Sequence, residues 1–69
     1  MDDLANGKEV INLLKNAGWK HTSTRGSHYK MEKTGFRSVP IPVHGNYDLG
    51  IGLLKTIEKQ TGVKLIKRG

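Results

Sequence analysis

Midway along the chain the sequence reads Gly26-Ser27-His28-Tyr29-Lys30-Met31-Glu32-Lys33. From residue 28 onward polar and apolar side chains alternate, with Tyr29 and Met31 as the apolar members. Successive side chains of a β-strand point to opposite faces of a sheet, so this alternation predicts a strand over residues 28–33. One face of the strand is then buried, and the other presents polar groups: His28, Lys30 and Glu32.

The segments on either side of this stretch predict two more strands. Residues 19–24 are rich in Trp, His, Thr and Ser and favour a strand, which a tight connection at residues 25–27 joins to the central one. After a turn at Thr34-Gly35, residues 36–43 predict a third strand. Its buried face carries Val39, Ile41 and Val43.

The two prolines of the third strand predict its place in the sheet. Proline has no backbone N–H group to donate, so this strand is expected at an edge, paired with the central strand through its other side. Placing the apolar residues of both strands on one face puts Tyr29 opposite Ile41 and His28 opposite Pro42. His44 then lies diagonally from His28, about 7 to 8 Å away on the open face.

A first helix is predicted before the strands, over residues 7–17. Asn6 can cap it, and Glu9 three residues later completes a capping box. Gly18 is the expected C-terminal stop. The apolar side chains have the spacing of one helical face: Val10, Leu13, Leu14 and Ala17.

A second helix is predicted after the strands, over residues 50–61, with Gly62 as its stop. Its apolar stripe is expected to be Leu53, Leu54 and Ile57. Its solvent side is expected to be Lys55, Glu58 and Lys59. Residues 1–5 are predicted to be a loose start, and residues 63–69 a basic tail that folds back or lies on a partner.

These elements predict an α+β fold of order α-β-β-β-α in a single domain, residues 1–69. A three-stranded antiparallel sheet has two helices on one face, which is the architecture of double-stranded RNA-binding domains. The other sheet face, which carries His28, is left open. Because one fold hosts many functions, the function has to be argued from the site.

Composition limits the classes of function. Twelve Lys and Arg against six Asp and Glu give the 69 residues a formal net charge of +6, which serves solubility or attracts nucleic acid or an acidic protein. The chain has no cysteine, which excludes a disulfide framework and a zinc-thiolate site. No apolar run reaches the length of about 20 residues that a bilayer requires, and the acidic start is unlike a secretory signal. We therefore expect a cytoplasmic protein that does not associate with membranes.

The chain resembles the HicA-type toxins, small ribonucleases of bacterial or phage toxin-antitoxin pairs. The resemblance covers about residues 7–63 and rests on the order and spacing of short motifs: Gly7-Lys8-Glu9-Val10-Ile11, Leu13-Leu14, Ala17-Gly18-Trp19, Gly26-Ser27-His28, Val39-Pro40-Ile41-Pro42-Val43-His44-Gly45 and Thr61-Gly62-Val63. It implies the same α-β-β-β-α fold, cleavage of mRNA with His28 as the catalytic residue, and a HicB-type antitoxin that covers His28. Two departures bear on RNA affinity or partner contacts. Tyr47 stands where family members often carry lysine, and the second helix opens with the glycine-rich Gly50-Ile51-Gly52.

Cleavage of RNA without a metal needs a base that takes the proton of the 2′-hydroxyl as this oxygen attacks the phosphorus. A histidine imidazole suits that step because it titrates near neutral pH. We expect His28 to act as this base, or as the acid toward the leaving 5′-oxygen, with no cofactor or metal and a cyclic 2′,3′-phosphate as the first product. Arg25, Lys30 and Lys20 are expected to bind the RNA, the first two by stabilising negative charge on phosphate.

The remaining candidate residues each have alternative interpretations. Gly26 permits either a positive φ angle or a close backbone approach, and Ser27 is either a phosphate ligand or a turn residue. His44 is either a second proton-transfer group or a histidine that packs against its loop. By strand parity His21 lies on the face opposite His28 and is structural, so the three histidines do not converge on a metal.

Two other functions fit the same features. One is a non-catalytic RNA-binding module with the fold of a double-stranded RNA-binding domain. The other is a protein-binding domain whose positive charge attracts an acidic partner. The resemblance at Gly26-Ser27-His28 favours cleavage over both. The free toxin is then expected to be monomeric and to form a hetero-oligomer with its antitoxin.

Overall fold

The computed structural model describes residues 2–3, 5–45 and 47–68. The predicted order of helix, three antiparallel strands and helix is confirmed, with one further short strand at each end. No helix in the described part of the chain is long and apolar enough to cross a membrane. The elements are β1 (Asp2–Asp3), α1 (Gly7–Asn16), β2 (Lys20–Arg25), β3 (His28–Glu32), β4 (Val39–Pro42), α2 (Ile51–Thr61) and β5 (Lys67–Arg68).

Strands β2, β3 and β4 form the main sheet, in which β3 is central and β4 is an edge strand, as the prolines predicted. The predicted register between β3 and β4 is also confirmed. His28 pairs with Pro42, and Tyr29 pairs with Ile41. Both strands bury alternate side chains against the helices, and a slip of one residue would expose them all.

Strand β4 begins at Val39, whereas the sequence predicted a strand from Phe36. Phe36 belongs to a turn: its N–H donates to the carbonyl oxygen of Lys33 at 3.0 Å. Its ring packs on the buried Trp19, with the two ring centroids 5.2 Å apart. The prediction of strand over residues 36–38 is therefore wrong. The Phe36 side chain packs against Trp19 from the turn and not from a position in the sheet.

Helix α1 packs on the sheet through a face that includes the buried Val10 and Leu14. Its predicted cap is confirmed, since the Asn6 side chain accepts the Glu9 N–H at 2.9 Å. The helix begins at Gly7, where it passes so close to the end of β4 that a Cβ atom would overlap the carbonyl oxygen of Pro42. Glycine at this position therefore allows α1 to pack directly against the edge strand.

Helix α2 adds Leu54 and Ile57 to the same core and ends, as predicted, at Gly62, which has a φ of 73°. Leu53 was predicted in the apolar stripe, but it is 39% exposed, and Thr61 is buried instead. Leu54, Ile57 and Thr61 have the i, i+3, i+7 spacing of one helical face, whereas Leu53 lies about 100° around the helix from Leu54.

The segment after α2 folds back onto that helix. Glu58, predicted on the solvent side, accepts the N–H groups of Leu65 and Ile66 with one carboxylate oxygen, at 2.7 and 2.9 Å. Both of these apolar residues are buried. Of the two alternatives for the predicted tail, folding back is therefore the one observed at residues 65–66.

The two ends of the chain pair with each other. Strand β1 is antiparallel to β5, with Asp2 opposite Arg68. Ala5 is buried, and its carbonyl oxygen accepts the Leu49 N–H at 2.9 Å. The predicted loose start is therefore wrong for the residues that the structure describes. The remaining positions of the predicted start and tail, Met1, Leu4 and Gly69, lie outside the described residues.

Candidate active site on the open sheet face

A two-residue turn, Gly26-Ser27, joins β2 to β3 and places His28 at the start of β3. Gly26 has a φ of 60°, while Ser27 does not have a positive φ, which is the pattern of a type II′ hairpin turn with glycine first. A Cβ atom at Gly26 would meet no described atom within 4 Å. The positive φ angle, one of the two interpretations of this glycine, is thus present in the turn.

A β-bulge in β2 decides which of its side chains share a face with His28. Strand pairing shifts between His21 and Ser23, which leaves Thr22 as the extra residue. Residues directly opposite each other in an antiparallel pair point to the same face. The β2 residues opposite the open-face positions of β3 are Lys20, Ser23 and Arg25. The bulge thereby puts Lys20 and Arg25 on one face, whereas their spacing of five would separate them in a regular strand.

His28 lies in a shallow depression of about 390 Å³ on this open face. Arg25 is its direct partner across the hairpin, and Lys30 follows two residues along β3; all three side chains are exposed. An imidazole flanked by two cations can receive a phosphate group and transfer a proton beside it. The depression is lined by Ser23, Arg25, His28, Lys30, Ser38 and Pro40.

Four predicted site residues do not line this depression: the turn residues Gly26 and Ser27, and also Lys20 and His44. Lys20 shares the open face but lines a second depression at the other end of the hairpin. His44 follows β4 and is exposed. The Val43 N–H donates to the Ser27 carbonyl oxygen at 2.7 Å, which continues the strand pairing one residue past β4 and holds the His44 segment beside the hairpin turn.

His21 occupies the opposite face of the sheet, as parity predicted. Its ring stacks on Tyr29 with centroids 4.8 Å apart and an interplanar angle of 27°. Its Nε2 atom lies 2.7 Å from the Thr24 hydroxyl oxygen, at hydrogen-bonding distance. His21 is therefore separated from His28 by the sheet. No group of three or more His, Cys, Asp or Glu residues in the described part of the chain could hold a metal ion.

Two serines that line the depression, Ser23 and Ser38, were not predicted as site residues. Ser38 precedes β4 and has the parity of Pro40, so strand alternation could have placed it on the open face. Ser23 could not be found in this way, because an unbroken alternation assigns it the face of His21. Both serines add hydroxyl groups, which donate and accept hydrogen bonds, to a depression that otherwise offers cations and one imidazole.

The fold and the site together define a class. This is an α+β domain with the fold of a double-stranded RNA-binding domain, and it presents a histidine between two cations on the open face of its sheet.

Comparison with known proteins agrees with this class. The model of the family described as HicA toxin of bacterial toxin-antitoxin matches residues 7–63, and the chain belongs to that family. Over 56 residues the chain is also 41% identical to the "Probable mRNA interferase HicA" of Pseudomonas fluorescens (strain Pf0-1). The alignment covers 81% of this chain and 92% of that relative.

Proposed function

We propose that this chain is the toxin of a toxin-antitoxin pair and acts as an endoribonuclease on mRNA, with His28 as its proton-transfer residue. Membership of the HicA toxin family and the name of the Pseudomonas relative support the activity. The observation that carries the site is the position of His28, exposed on the open sheet face in one depression with Arg25 and Lys30.

The reaction is an attack of the RNA on itself. The 2′-oxygen of a ribose loses its proton to a base and forms a bond to the adjacent phosphorus, while the bond from phosphorus to the 5′-oxygen breaks. The leaving oxygen takes up a proton, so the products carry a cyclic 2′,3′-phosphate and a 5′-hydroxyl. His28 acts as the base, or as the acid for the leaving oxygen. His44, held near the turn by the Val43 to Ser27 hydrogen bond, is the candidate for the complementary role.

The cations beside His28 stabilise the transition state. Negative charge accumulates on the phosphate oxygens during attack, and donors fixed in advance around that position lower the barrier. Arg25 and Lys30 are on neighbouring strands, so they can contact the phosphate from two sides. Lys20 binds the RNA further along the hairpin. Ser27, in the turn beside Arg25, is a further candidate donor to a phosphate oxygen.

The antitoxin acts by covering the same surface. A HicB-type partner that lies over the open face would block the depression and keep RNA from His28, and the surrounding cations favour an acidic partner surface. Toxin and antitoxin then form a hetero-oligomer, and the free toxin is a monomer. We place both in the cytoplasm, where mRNA is translated.

The test compares the chain with two alanine variants on a defined RNA in the presence of EDTA. His28→Ala should lower the cleavage rate by about 10²- to 10⁴-fold, the usual contribution of general acid-base catalysis, while RNA binding persists. His21→Ala is the matched control, because it removes a histidine from the opposite face and should leave the rate unchanged. The wild-type product should carry a cyclic 2′,3′-phosphate. Circular dichroism verifies that each variant is folded.

Two outcomes would oppose this proposal. Unchanged cleavage by His28→Ala removes the histidine from the mechanism. RNA binding without cleavage by the wild-type chain would instead support the non-catalytic RNA-binding module.

A further inference from the structure

A second depression, of about 360 Å³, lies at the far end of the β2–β3 hairpin from His28. Its lining includes Lys20, Glu32, Lys33 and Phe36, and it shares no lining residue with the depression around His28. It combines an exposed aromatic ring with charged groups of both signs. We propose that this depression binds a nucleotide of the same RNA strand that is cut at His28, with the base stacked on Phe36. The identity of the strand rests on the proposed function, whereas the binding itself does not require cleavage.

The first argument is the ring of Phe36, which is 47% exposed although it is fully apolar. The ring also packs against a buried aromatic residue. Its centroid is 5.2 Å from that of Trp19, which is only 2% exposed and belongs to the core. An exposed ring supported by a buried one is a rigid platform, and base stacking on such rings is a general mode of binding single-stranded nucleic acid.

The second argument is the fixed cation over the ring. The Lys33 ammonium nitrogen lies 5.4 Å from the Phe36 centroid and donates to the carbonyl oxygen of Ala17 at 2.8 Å. This hydrogen bond to the end of α1 restricts the lysine side chain. The platform therefore carries a localised positive charge over the ring. This charge favours an electron-rich base and its phosphate over a neutral apolar ligand.

The third argument is a cross-strand pair in the lining of the depression. Lys20 and Glu32 are directly opposite each other in β2 and β3, on the open face that carries His28. The lysine can donate to a phosphate oxygen. The carboxylate can accept from the N–H groups on the edge of a base, which a phosphate does not have. A nucleotide with both groups satisfies both side chains, whereas an isolated anion would be repelled by Glu32.

The distance between the two depressions excludes a single shared nucleotide. Glu32 is four residues beyond His28 on β3, which corresponds to about 13 Å along a strand. A strand of RNA that follows the open face can place one phosphate at His28 and a base further along the chain on Phe36. The bulge at Thr22 is part of this surface, because it brings Lys20 to the open face.

The test measures the affinity of a fluorescent single-stranded RNA by anisotropy in the His28→Ala background, so that the ligand is not consumed. Phe36→Leu keeps an apolar contact with Trp19 but removes the ring, and it should raise the Kd by about 5- to 100-fold. Phe36→Tyr should restore the affinity. The matched control is Leu53→Ala, which removes an apolar side chain that is 39% exposed on α2 and should leave the Kd unchanged.

A crosslinking experiment on the unaltered chain tests the same proposal without a substitution. RNA that contains 4-thiouridine should crosslink to the tryptic peptide of residues 34–37, which contains Phe36. Crosslinks confined to the peptide that contains Tyr47 would overturn the proposal. An unchanged Kd for the Phe36→Leu variant would also overturn it. If that variant binds RNA normally but no longer binds the antitoxin, the surface serves a protein partner instead.

The outcomes for the two proposals are distinguishable. If His28→Ala abolishes cleavage while Phe36→Leu binds RNA normally, the catalytic proposal stands and the stacking site is overturned. If the wild-type chain does not cleave but Phe36→Leu weakens binding, the stacking site stands on a non-catalytic module. A dinucleotide that is too short to reach Phe36 gives a further comparison. The Phe36→Leu variant should cleave this dinucleotide at the wild-type rate. It should cleave longer RNA more slowly than the wild-type chain does when the RNA is subsaturating.

Discussion

Lys20 and Arg25 lie on the same face of β2, although a spacing of five residues separates side chains in a regular strand. Thr22 is the reason, since it has no partner of its own in β3, and pairing resumes at Ser23. The Thr22 hydroxyl makes a long hydrogen bond, 3.5 Å, to the Lys30 carbonyl oxygen. Bulges often re-aim side chains next to active sites, and here the bulge collects cations on the face of His28.

Deletion of Thr22 should leave the domain folded. Lys20, His21 and Ser23 would then follow one another as a regular strand, with the same partners in β3 as before. We expect the free energy of unfolding to change by no more than about 1 kcal/mol, so Tm should shift by no more than about 4–8 °C for a domain of this size. Thermal unfolding followed by circular dichroism measures it.

Deletion of Lys30 is the matched control, because it removes one residue from a strand without a bulge. Met31 would then turn from the core to the open face, and the domain should lose its cooperative transition. If the Thr22 deletion is as damaging as the Lys30 deletion, the bulge contributes more to the fold than the geometry indicates.

The regular alternation of β3 and β4, and its interruption in β2, explain which parts of the fold could be predicted from the sequence. Strands β3 and β4 both alternate between buried and exposed residues, so their faces and their register follow from the pattern. All six residues of β2 are exposed, so burial does not mark the point where its alternation breaks. The pairing of β1 with β5 involves only two residues on each side, from opposite ends of the chain, which is too short for a pattern to show.

The candidate site was predictable to a similar extent. His28 and Lys30 were assigned to the open face because both belong to the alternating strand. Arg25 pairs with His28 across the tight turn that the glycine predicts, so it lies on the same face of the sheet. Phe36 was assigned to a strand, and its role at the end of the sheet depends on its contact with Trp19, which is distant in sequence and leaves no local signal.

The close approach at Gly7 gives a second prediction. Gly7→Ala should destabilise the domain by about 1–3 kcal/mol, the usual range for overpacking, because the new Cβ atom would lie 2.9 Å from the Val43 Cα and overlap the Pro42 carbonyl oxygen. The gain in helix propensity, about 1 kcal/mol, is smaller. Urea denaturation measures the difference.

Gly52 provides the matched control for Gly7. It is also helical, but a Cβ atom there would meet no described atom within 4 Å. Gly52→Ala should therefore stabilise the domain by up to about 1 kcal/mol. Equal effects of the two substitutions would contradict the assignment of Gly7 to a packing contact.

The turn glycine gives a third prediction, which separates its two interpretations. Gly26→Ala should lower the free energy of unfolding by about 1–2 kcal/mol, because an L-residue is strained at a φ of 60°. Gly26→Asn should lose less, since asparagine tolerates positive φ better. If the strain is the whole effect, the folded fraction of Gly26→Ala should bind RNA normally. A stable variant with weakened RNA binding would point to close backbone approach by the RNA instead.

The cations beside His28 give the last prediction, which concerns the reaction itself. Lys30→Ala should lower the single-turnover cleavage rate by about 10- to 100-fold, less than for a donor in an enclosed site, because this one is exposed to solvent. Lys55→Ala removes another exposed charge, on α2 and on the helical side of the sheet, and should have little effect. Lys30→Arg keeps the charge and should retain most of the activity. If Lys30→Ala and Lys55→Ala weaken RNA binding equally and leave the rate of the bound complex unchanged, Lys30 attracts RNA only through net charge and does not stabilise the transition state.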